Sequence, residues 1–170
     1  MKRAIALVGL MGAGKTTVAG LLARRLGGEA VDLDQVLETE AGCSVAEMFR
    51  RDGEASFRRL EAARLAELIG NAPAVIACGG GVVIDAASRD RLKESCRVVW
   101  LEVSPPEAMR RVGRTPAVRP LLPEGSDGLE ALLRGREAVY RDVAEFRIPT
   151  DGKTPEQVAE AVLEALGTAS

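Results

Sequence analysis

Histidine is absent from the 170-residue chain, and this absence removes several kinds of chemistry at once. A Ser–His–Asp triad, a histidine-ligated metal and a histidine general base are all excluded, so any proton transfer falls to a carboxylate or to solvent. Cysteine is scarce as well, because Cys43, Cys78 and Cys96 are odd in number and widely spaced. This pattern predicts no zinc site and no disulfide framework, and it is typical of a reducing compartment.

Charge and hydropathy exclude further partners. The net charge is -2 and no basic run stands out, so we expect no nucleic-acid partner. The apolar run at the N-terminus is too short for a signal peptide, and no stretch approaches the length of a membrane span. We therefore expect a cytoplasmic protein with no membrane partner. With 46 % hydrophobic and 28 % charged residues, the chain has the composition of one globular domain with a real core.

A glycine-rich motif stands at residues 9–16, where the chain reads Gly-Leu-Met-Gly-Ala-Gly-Lys-Thr. It fits the phosphate-loop pattern G-x-x-x-x-G-K-[ST]. A short apolar run at 4–8 precedes it and an amphipathic stretch at 17–26 follows, which gives the strand, loop and helix that the motif requires. Its glycines let backbone N–H groups surround a phosphate at the positive end of a helix, Lys15 reaches the outer phosphates, and Thr16 can ligate Mg²⁺.

The remainder of the chain alternates strand and helix patterns. Further strands are predicted at 29–34, 74–78, 97–103 and 146–149, and further helices at 35–40, 44–51, 54–69, 86–94, 105–112, 129–143 and 154–166. On the helix at 54–69 the expected core contacts are Phe57, Leu60, Leu65 and Leu68. This alternation predicts an α/β protein with three α/β/α layers and a five-stranded parallel sheet.

Three segments outside the phosphate loop carry candidate chemistry. Asp32 and Asp34 are predicted to share one side of the extended segment that ends the second strand, where ligands bind in open α/β sheets. Residues 79–81 are three glycines directly after a strand, which is compatible either with a flexible turn or with close approach of the backbone to a ligand. Residues 113–128 are rich in glycine and proline, and a loop of this length in a nucleotide enzyme favours a mobile lid.

Arginine placement narrows the choice of function. There is no N-K-x-D motif for guanine and no long apolar strand that ends in paired acids. Arg58, Arg59, Arg119 and Arg136 recur where a small anion could lie, and the planar guanidinium fits carboxylate and phosphate oxygens. These features favour a small-molecule kinase over a GTPase or a motor ATPase.

Taken together, the motifs resemble those of the shikimate kinase family over essentially the whole chain. The resemblance rests on the phosphate loop, Asp32-Leu33-Asp34, the Phe-Arg-Arg-Leu-Glu run at 57–61, the glycines at 79–81, Val-Arg-Pro-Leu-Leu at 118–122, and Arg136 followed by Tyr140 and Arg141. It implies ATP-dependent phosphorylation of the 3-hydroxyl of shikimate, on the chorismate route to aromatic amino acids. It also implies a sheet of order 2-3-1-4-5 in a single P-loop kinase domain over 1–170, with a substrate-binding region at about 33–61 and a lid at about 113–125.

The resemblance also assigns roles by motif position. The chain is expected to act as a monomer. ATP is expected at Gly12, Ala13, Gly14, Lys15, Thr16, Thr17, Arg111 and Arg119. Mg²⁺ is expected at Thr16 and Asp32. Shikimate is expected at Asp34, Arg58, Gly79, Gly80, Gly81 and Arg136. Lys15 and Arg119 would neutralise charge on the transferred group, and Asp34 is the candidate base.

Two other functions stay open from the residues. A gluconate or adenylate kinase would share the phosphate loop, and a gluconate kinase would also need arginines for a carboxylate. The R-P-L-L and F-R-x-x-E motifs favour shikimate over these substrates. A regulatory nucleotide-binding module would be expected to have lost Lys15, Asp34 or Arg119, and all three are present.

Overall fold

A five-stranded parallel sheet forms the centre of the computed structural model, which describes residues 3–113 and 125–167 and, at 125 and 126, the backbone alone. The strands are β1 (Ala4–Val8), β2 (Ala30–Asp32), β3 (Val75–Ala77), β4 (Cys96–Glu102) and β5 (Phe146–Pro149). Their order across the sheet is β2-β3-β1-β4-β5. The predicted fold class and strand order are therefore confirmed.

Helices cover both faces of this sheet. They are α1 (Lys15–Leu26), α2 (Leu33–Ala41), α3 (Val45–Asp52), α4 (Glu54–Asn71), α5 (Ala86–Ser95), α6 (Pro105–Val112), α7 (Gly125–Val143) and α8 (Pro155–Ala165), with a 3-10 turn at Val82–Ile84. Helix α1 packs against α8, while α4 packs against α5 and α5 against α7. Within the two described ranges, no helix has both the length and the apolar character that crossing a bilayer requires.

The core lies between the sheet and these helices. Every residue of β1 is buried, as expected for a central parallel strand that is covered on both faces. The largest buried side chains are Trp100 of β4 and Tyr140 of α7, whose rings stack with their centroids 5.7 Å apart. These rings bring α7 close to the middle of the sheet.

Gly9 shows how tightly the chain is packed where β1 ends. Its φ is +143°, and a Cβ there would overlap the carbonyl oxygen of Leu101 on the neighbouring strand. Only glycine allows the backbone at residue 9 to lie this close to the backbone of Leu101. The phosphate loop therefore starts directly against β4.

The second strand differs from the prediction, because it ends at Asp32 and not at Asp34. A side-chain oxygen of Asp32 accepts a hydrogen bond from the backbone N–H of Gln35 at 3.1 Å, and this cap starts α2 at Leu33. Asp34 thus lies in the first turn of a helix. The prediction that both aspartates share one side of an extended segment is wrong, although both side chains still line the same cleft.

Helix α4 departs from the predicted pattern as well. Phe57 and Leu65 are buried and Leu68 packs against the core, but Leu60 is 41 % exposed, so its predicted core position is wrong. The inward position next to it is taken by Glu61, which is only 2 % exposed. The helix also continues through Gly70 and ends at Asn71, followed by Ala72 with a φ of 49°.

Helix α7 begins at Gly125, four residues before the predicted start. Most of the predicted lid, including Arg114, Arg119 and the motif at 118–122, lies outside the described residues.

Candidate active site

A cleft of about 1090 Å³ opens at the carboxyl edge of the sheet. Its walls come from the phosphate loop, the N-terminal turns of α2 and α4, the three glycines after β3, and α7. It brings together most of the predicted site residues: Gly12, Gly14, Lys15, Thr16, Thr17, Asp32, Asp34, Arg58, Gly79, Gly80, Gly81, Arg111 and Arg136. Ala13 lines a neighbouring cavity, and Arg119 belongs to the segment that the structure does not describe.

The phosphate loop presents backbone donors to the cleft. Gly14 is the N-cap of α1 and has a φ of 86°, with no side-chain cap. Within the described chain, the N–H groups of Gly14, Lys15 and Thr16 have no acceptor. Unpaired N–H groups at a helix N-terminus form an anion site, because they point outward where the helix dipole is positive.

Lys15 completes this positive end of the cleft. Its amino group donates hydrogen bonds of 2.9 Å to the carbonyl oxygens of both Gly9 and Leu10. Burial lowers the pKa of Lys15, and the nearby carboxylate of Asp34 opposes that shift.

Thr16 and Asp32 meet at the mouth of the loop, where the threonine hydroxyl donates a hydrogen bond to a carboxylate oxygen of Asp32. Two hard oxygen ligands next to a phosphate site suit Mg²⁺, which keeps several waters and binds phosphates together with one or two protein groups. In the part of the chain that is described, no group of three acidic or cysteine side chains could form a complete metal cage.

Asp34 occupies the middle of the cleft, between the phosphate loop and the glycines after β3. Burial and the neighbouring Asp32 raise the pKa of Asp34, whereas Lys15 lowers it. A Cβ on Gly79 would lie 2.8 Å from a carboxylate oxygen of Asp34 and equally close to one of Glu61. The first glycine of the triplet therefore makes room for two carboxylates.

Arg58 forms the floor of the cleft at its far end. Its guanidinium carbon lies 5.5 Å from the ring centroid of Phe49 and 5.3 Å from that of Phe57. One terminal nitrogen donates to Glu61 at 2.7 Å. A Cβ on Gly81 would overlap this guanidinium, so the third glycine of the triplet makes room for an arginine.

Glu61 is the main site residue that the sequence interpretation left without a role. Burial raises the pKa of Glu61, and the ion pair with Arg58 acts against that rise. Its spacing of three residues from Arg58 on one helix is the signal that could have identified it, because such residues are neighbours on a helix surface.

Arg136 approaches the cleft from α7. A Cβ on Gly80 would lie 3.6 Å from one of its terminal nitrogens, so the guanidinium lies over the middle glycine. Arg58 and Arg136 thus enter the same cleft from two different helices. The cleft therefore holds two guanidinium groups as well as the unpaired N–H groups of the phosphate loop, and both kinds of donor suit the oxygens of an anion.

A smaller cavity of about 530 Å³ lies on the other side of the phosphate loop and contains Ala13, Arg110, Arg111, Thr150, Lys153 and Pro155 among its walls. Arg111 is held firmly there, since it donates to the carbonyl oxygens of Gly12 and Thr150, each at 3.0 Å. It also pairs with Glu107, and hydrogen bonds from Arg110 and Arg111 lower the pKa of that glutamate to about 2. Arg111 therefore joins the phosphate loop to the segment after β5.

Comparisons with known proteins agree with this geometry. The profile of the family described as Shikimate kinase matches residues 11–167. A shikimate kinase of Moorella thermoacetica is 44% identical over 164 residues, which cover 95% of this chain and 93% of that protein. One from Synechococcus sp. (strain CC9605) is 42% identical over 168 residues, covering 96% of this chain and 82% of its relative.

The solved structures include a shikimate kinase from Acinetobacter baumannii in complex with shikimate. It superimposes with a TM-score of 0.93 at 35% identity, over 99% of this chain and 94% of that one. The match extends over nearly the whole chain, and the chain belongs to the shikimate kinase family.

Proposed function

We propose that this chain carries out the reaction of its family in the cleft described above, transferring the γ-phosphoryl group of ATP to the 3-hydroxyl of shikimate. The product belongs to the route to chorismate and the aromatic amino acids. The observation that carries the proposal is the presence of two anion sites in one cleft. Unpaired N–H groups and Lys15 form one, Arg58 and Arg136 form the other, and Asp34 lies with them.

ATP is assigned to the phosphate-loop end. The N–H groups of residues 14–16 would hold the outer phosphates, and Lys15 would stabilise the charge that develops as the phosphoryl group leaves. The cavity with Arg111, Thr150 and Lys153 supports a position for the nucleoside, since it adjoins the same loop.

Mg²⁺ is assigned to Thr16 and Asp32, whose contact at the mouth of the loop supports a shared ion. When bound, the ion would neutralise negative charge on the ATP phosphates. Asp32 has a second task in any case, because it also caps the helix that carries Asp34. The two acidic residues are thereby held in a fixed relation.

Shikimate is assigned to the other end. Its carboxylate would be held by Arg58 and Arg136, and the backbone of Gly80 and Gly81 would contact the ring substituents. Asp34 would accept a hydrogen bond from the 3-hydroxyl and orient it toward the phosphate. Orientation is the larger part of this task, because phosphoryl transfer depends mainly on positioning and on neutralising charge.

Arg119 and the lid at about 113–125 complete the proposal from the sequence, since they lie outside the described residues. Arg119 would approach the γ-phosphate and act as an arginine supplied in cis, a type of contribution of ~10³ or more in rate. Closure of the lid would exclude water, which competes with shikimate as the acceptor. We further propose that the protein acts as a monomer. We also propose that it acts in the cytoplasm, a reducing compartment that suits its three free cysteines.

The acceptor is tested by a coupled assay of ADP release with shikimate, gluconate and AMP in turn. We expect turnover with shikimate, because its carboxylate and hydroxyls match Arg58, Arg136 and Asp34. ATP without an acceptor serves as the control for background hydrolysis. Turnover with gluconate and none with shikimate would overturn the assignment.

Replacing Asp34 by asparagine keeps the size of the side chain and removes its charge. We expect kcat to fall at least about a hundredfold, because a positioned carboxylate at the acceptor hydroxyl contributes that much or more. The Michaelis constant for ATP should change little. Asp90→Asn, an exposed site on α5, is the matched control and should retain full activity. Near-normal turnover of Asp34→Asn would rule out both the basic and the orienting role.

Arg136→Lys tests the carboxylate site, because lysine keeps the charge and loses the planar pair of donors. We expect KM for shikimate to rise about tenfold or more, the cost of one charged hydrogen bond. KM for ATP should stay within about twofold. Arg134→Lys, on the same helix and largely exposed, is the control. An equal rise in both Michaelis constants would contradict a role specific to the acceptor.

A further inference from the structure

Tyr140 is a buried polar residue that the proposed function leaves without a role. It is the one tyrosine of the chain, and its side chain is fully buried in α7. A buried phenol is costly unless its hydroxyl has a partner. Here the hydroxyl donates a hydrogen bond of 2.5 Å to the carbonyl oxygen of Gly80, in the middle of the glycine triplet after β3.

This hydrogen bond sets the direction of one peptide group. The carbonyl of Gly80 and the N–H of Gly81 belong to the same planar, trans peptide, so they point in opposite directions. Tyr140 holds the carbonyl toward the buried core. The N–H of Gly81 must then point away from Tyr140, and Gly81 itself lines the cleft.

The N–H of Gly81 is free to bind a ligand. No acceptor for it is found in residues 3–113 or 125–167. A run of three glycines has few steric barriers, and an unanchored peptide in it could rotate. An external anchor is therefore needed for this donor to keep one direction.

Tyr140 also stands next to the arginine of the acceptor site. Arg136 precedes it by four residues on α7, so the two side chains lie on one face of the helix. The Arg136 guanidinium lies over Gly80, the same residue whose carbonyl receives the tyrosine hydrogen bond. The tyrosine ring is itself fixed by its stack against Trp100 of the central sheet.

We propose that Tyr140 is a positioning residue for the acceptor: its hydroxyl fixes the Gly80–Gly81 peptide so that the N–H of Gly81 points into the cleft as a hydrogen-bond donor beside Arg136. The proposal rests on the proposed function for the identity of the acceptor, shikimate. The fixed direction of the peptide is a property of the protein alone.

The kinetic test is Tyr140→Phe, which removes one oxygen atom and keeps the ring stack. Losing an ordered donor should weaken binding of the acceptor equally before and during the reaction, which raises KM and leaves kcat unchanged. We expect KM for shikimate to rise about three- to tenfold, the usual range for one neutral hydrogen bond. KM for ATP and kcat should stay within about twofold.

Val143→Ala is the matched control, since it opens a small cavity in the same buried face of α7 and leaves the hydroxyl in place. It should lower the melting temperature and leave KM for shikimate unchanged. A rise in that KM equal to the one in Tyr140→Phe would mean that general loosening of α7 explains the effect, and the proposal would fail. It would also fail if Tyr140→Phe had no effect on KM for shikimate.

A second measurement needs no substrate. In protein labelled with ¹⁵N-glycine, Tyr140→Phe should shift or broaden the amide signal of Gly81, while Val143→Ala should leave it in place. An unchanged Gly81 signal in Tyr140→Phe would overturn the proposal even if shikimate is the substrate. A changed signal in an enzyme that does not phosphorylate shikimate would instead support the role of Tyr140 and overturn the proposed function.

Discussion

The direct contact between two glycine loops is the constraint on which the site depends. Strands β1 and β3 are neighbours in the sheet; Gly9 follows β1 directly, and the glycine triplet begins one residue after β3, beyond Cys78. A Cβ on Gly80 would lie 3.3 Å from the carbonyl oxygen of Gly9 and 3.7 Å from the backbone nitrogen of Met11. With no side chains between the loops, the backbone proposed to hold the ATP phosphates and the backbone proposed to face shikimate share one cleft. Phosphoryl transfer requires this closeness, because both substrates must react without a gap that water could enter.

Burying so many charged side chains together costs free energy of folding, and their pairing with one another offsets this cost only in part. Lys15, Asp34, Arg58, Glu61 and Arg136 influence one another in a largely buried space. In the described chain, one oxygen of Glu61 and the Nε of Arg58 have no hydrogen-bond partner although they are buried. Buried groups without partners are destabilising, and they are commonly found where a ligand supplies what is missing. The two unpaired atoms therefore lower the stability of the fold at the end of the cleft where we propose that shikimate binds.

Local patterns predicted most of the fold, because each is decided over a few residues. The run at 4–8, the glycines at 9–14 and the stretch after them match β1, the phosphate loop and α1 closely. The resemblance supplied the strand order, which periodicity alone does not contain. The strand position predicted for Asp34 is wrong, since the cap formed by Asp32 starts the helix earlier than the apolar pattern indicates. The core position predicted for Leu60 is wrong because Glu61 takes the inward position between Phe57 and Leu65, and an apolar pattern does not predict a buried glutamate.

Contacts over long distances in the chain could not be predicted in the same way. Tyr140 and Gly80 are 60 residues apart, and Arg111 reaches Gly12 across 99. The central claim is that one cleft holds nucleotide and shikimate together, with the acceptor carboxylate between two arginines. A crystal structure of the protein with ADP and shikimate tests it most directly. We predict shikimate with its carboxylate within hydrogen-bond distance of Arg58 and Arg136 and its 3-hydroxyl beside Asp34. Shikimate bound with its carboxylate away from both arginines, or outside this cleft, would contradict the account.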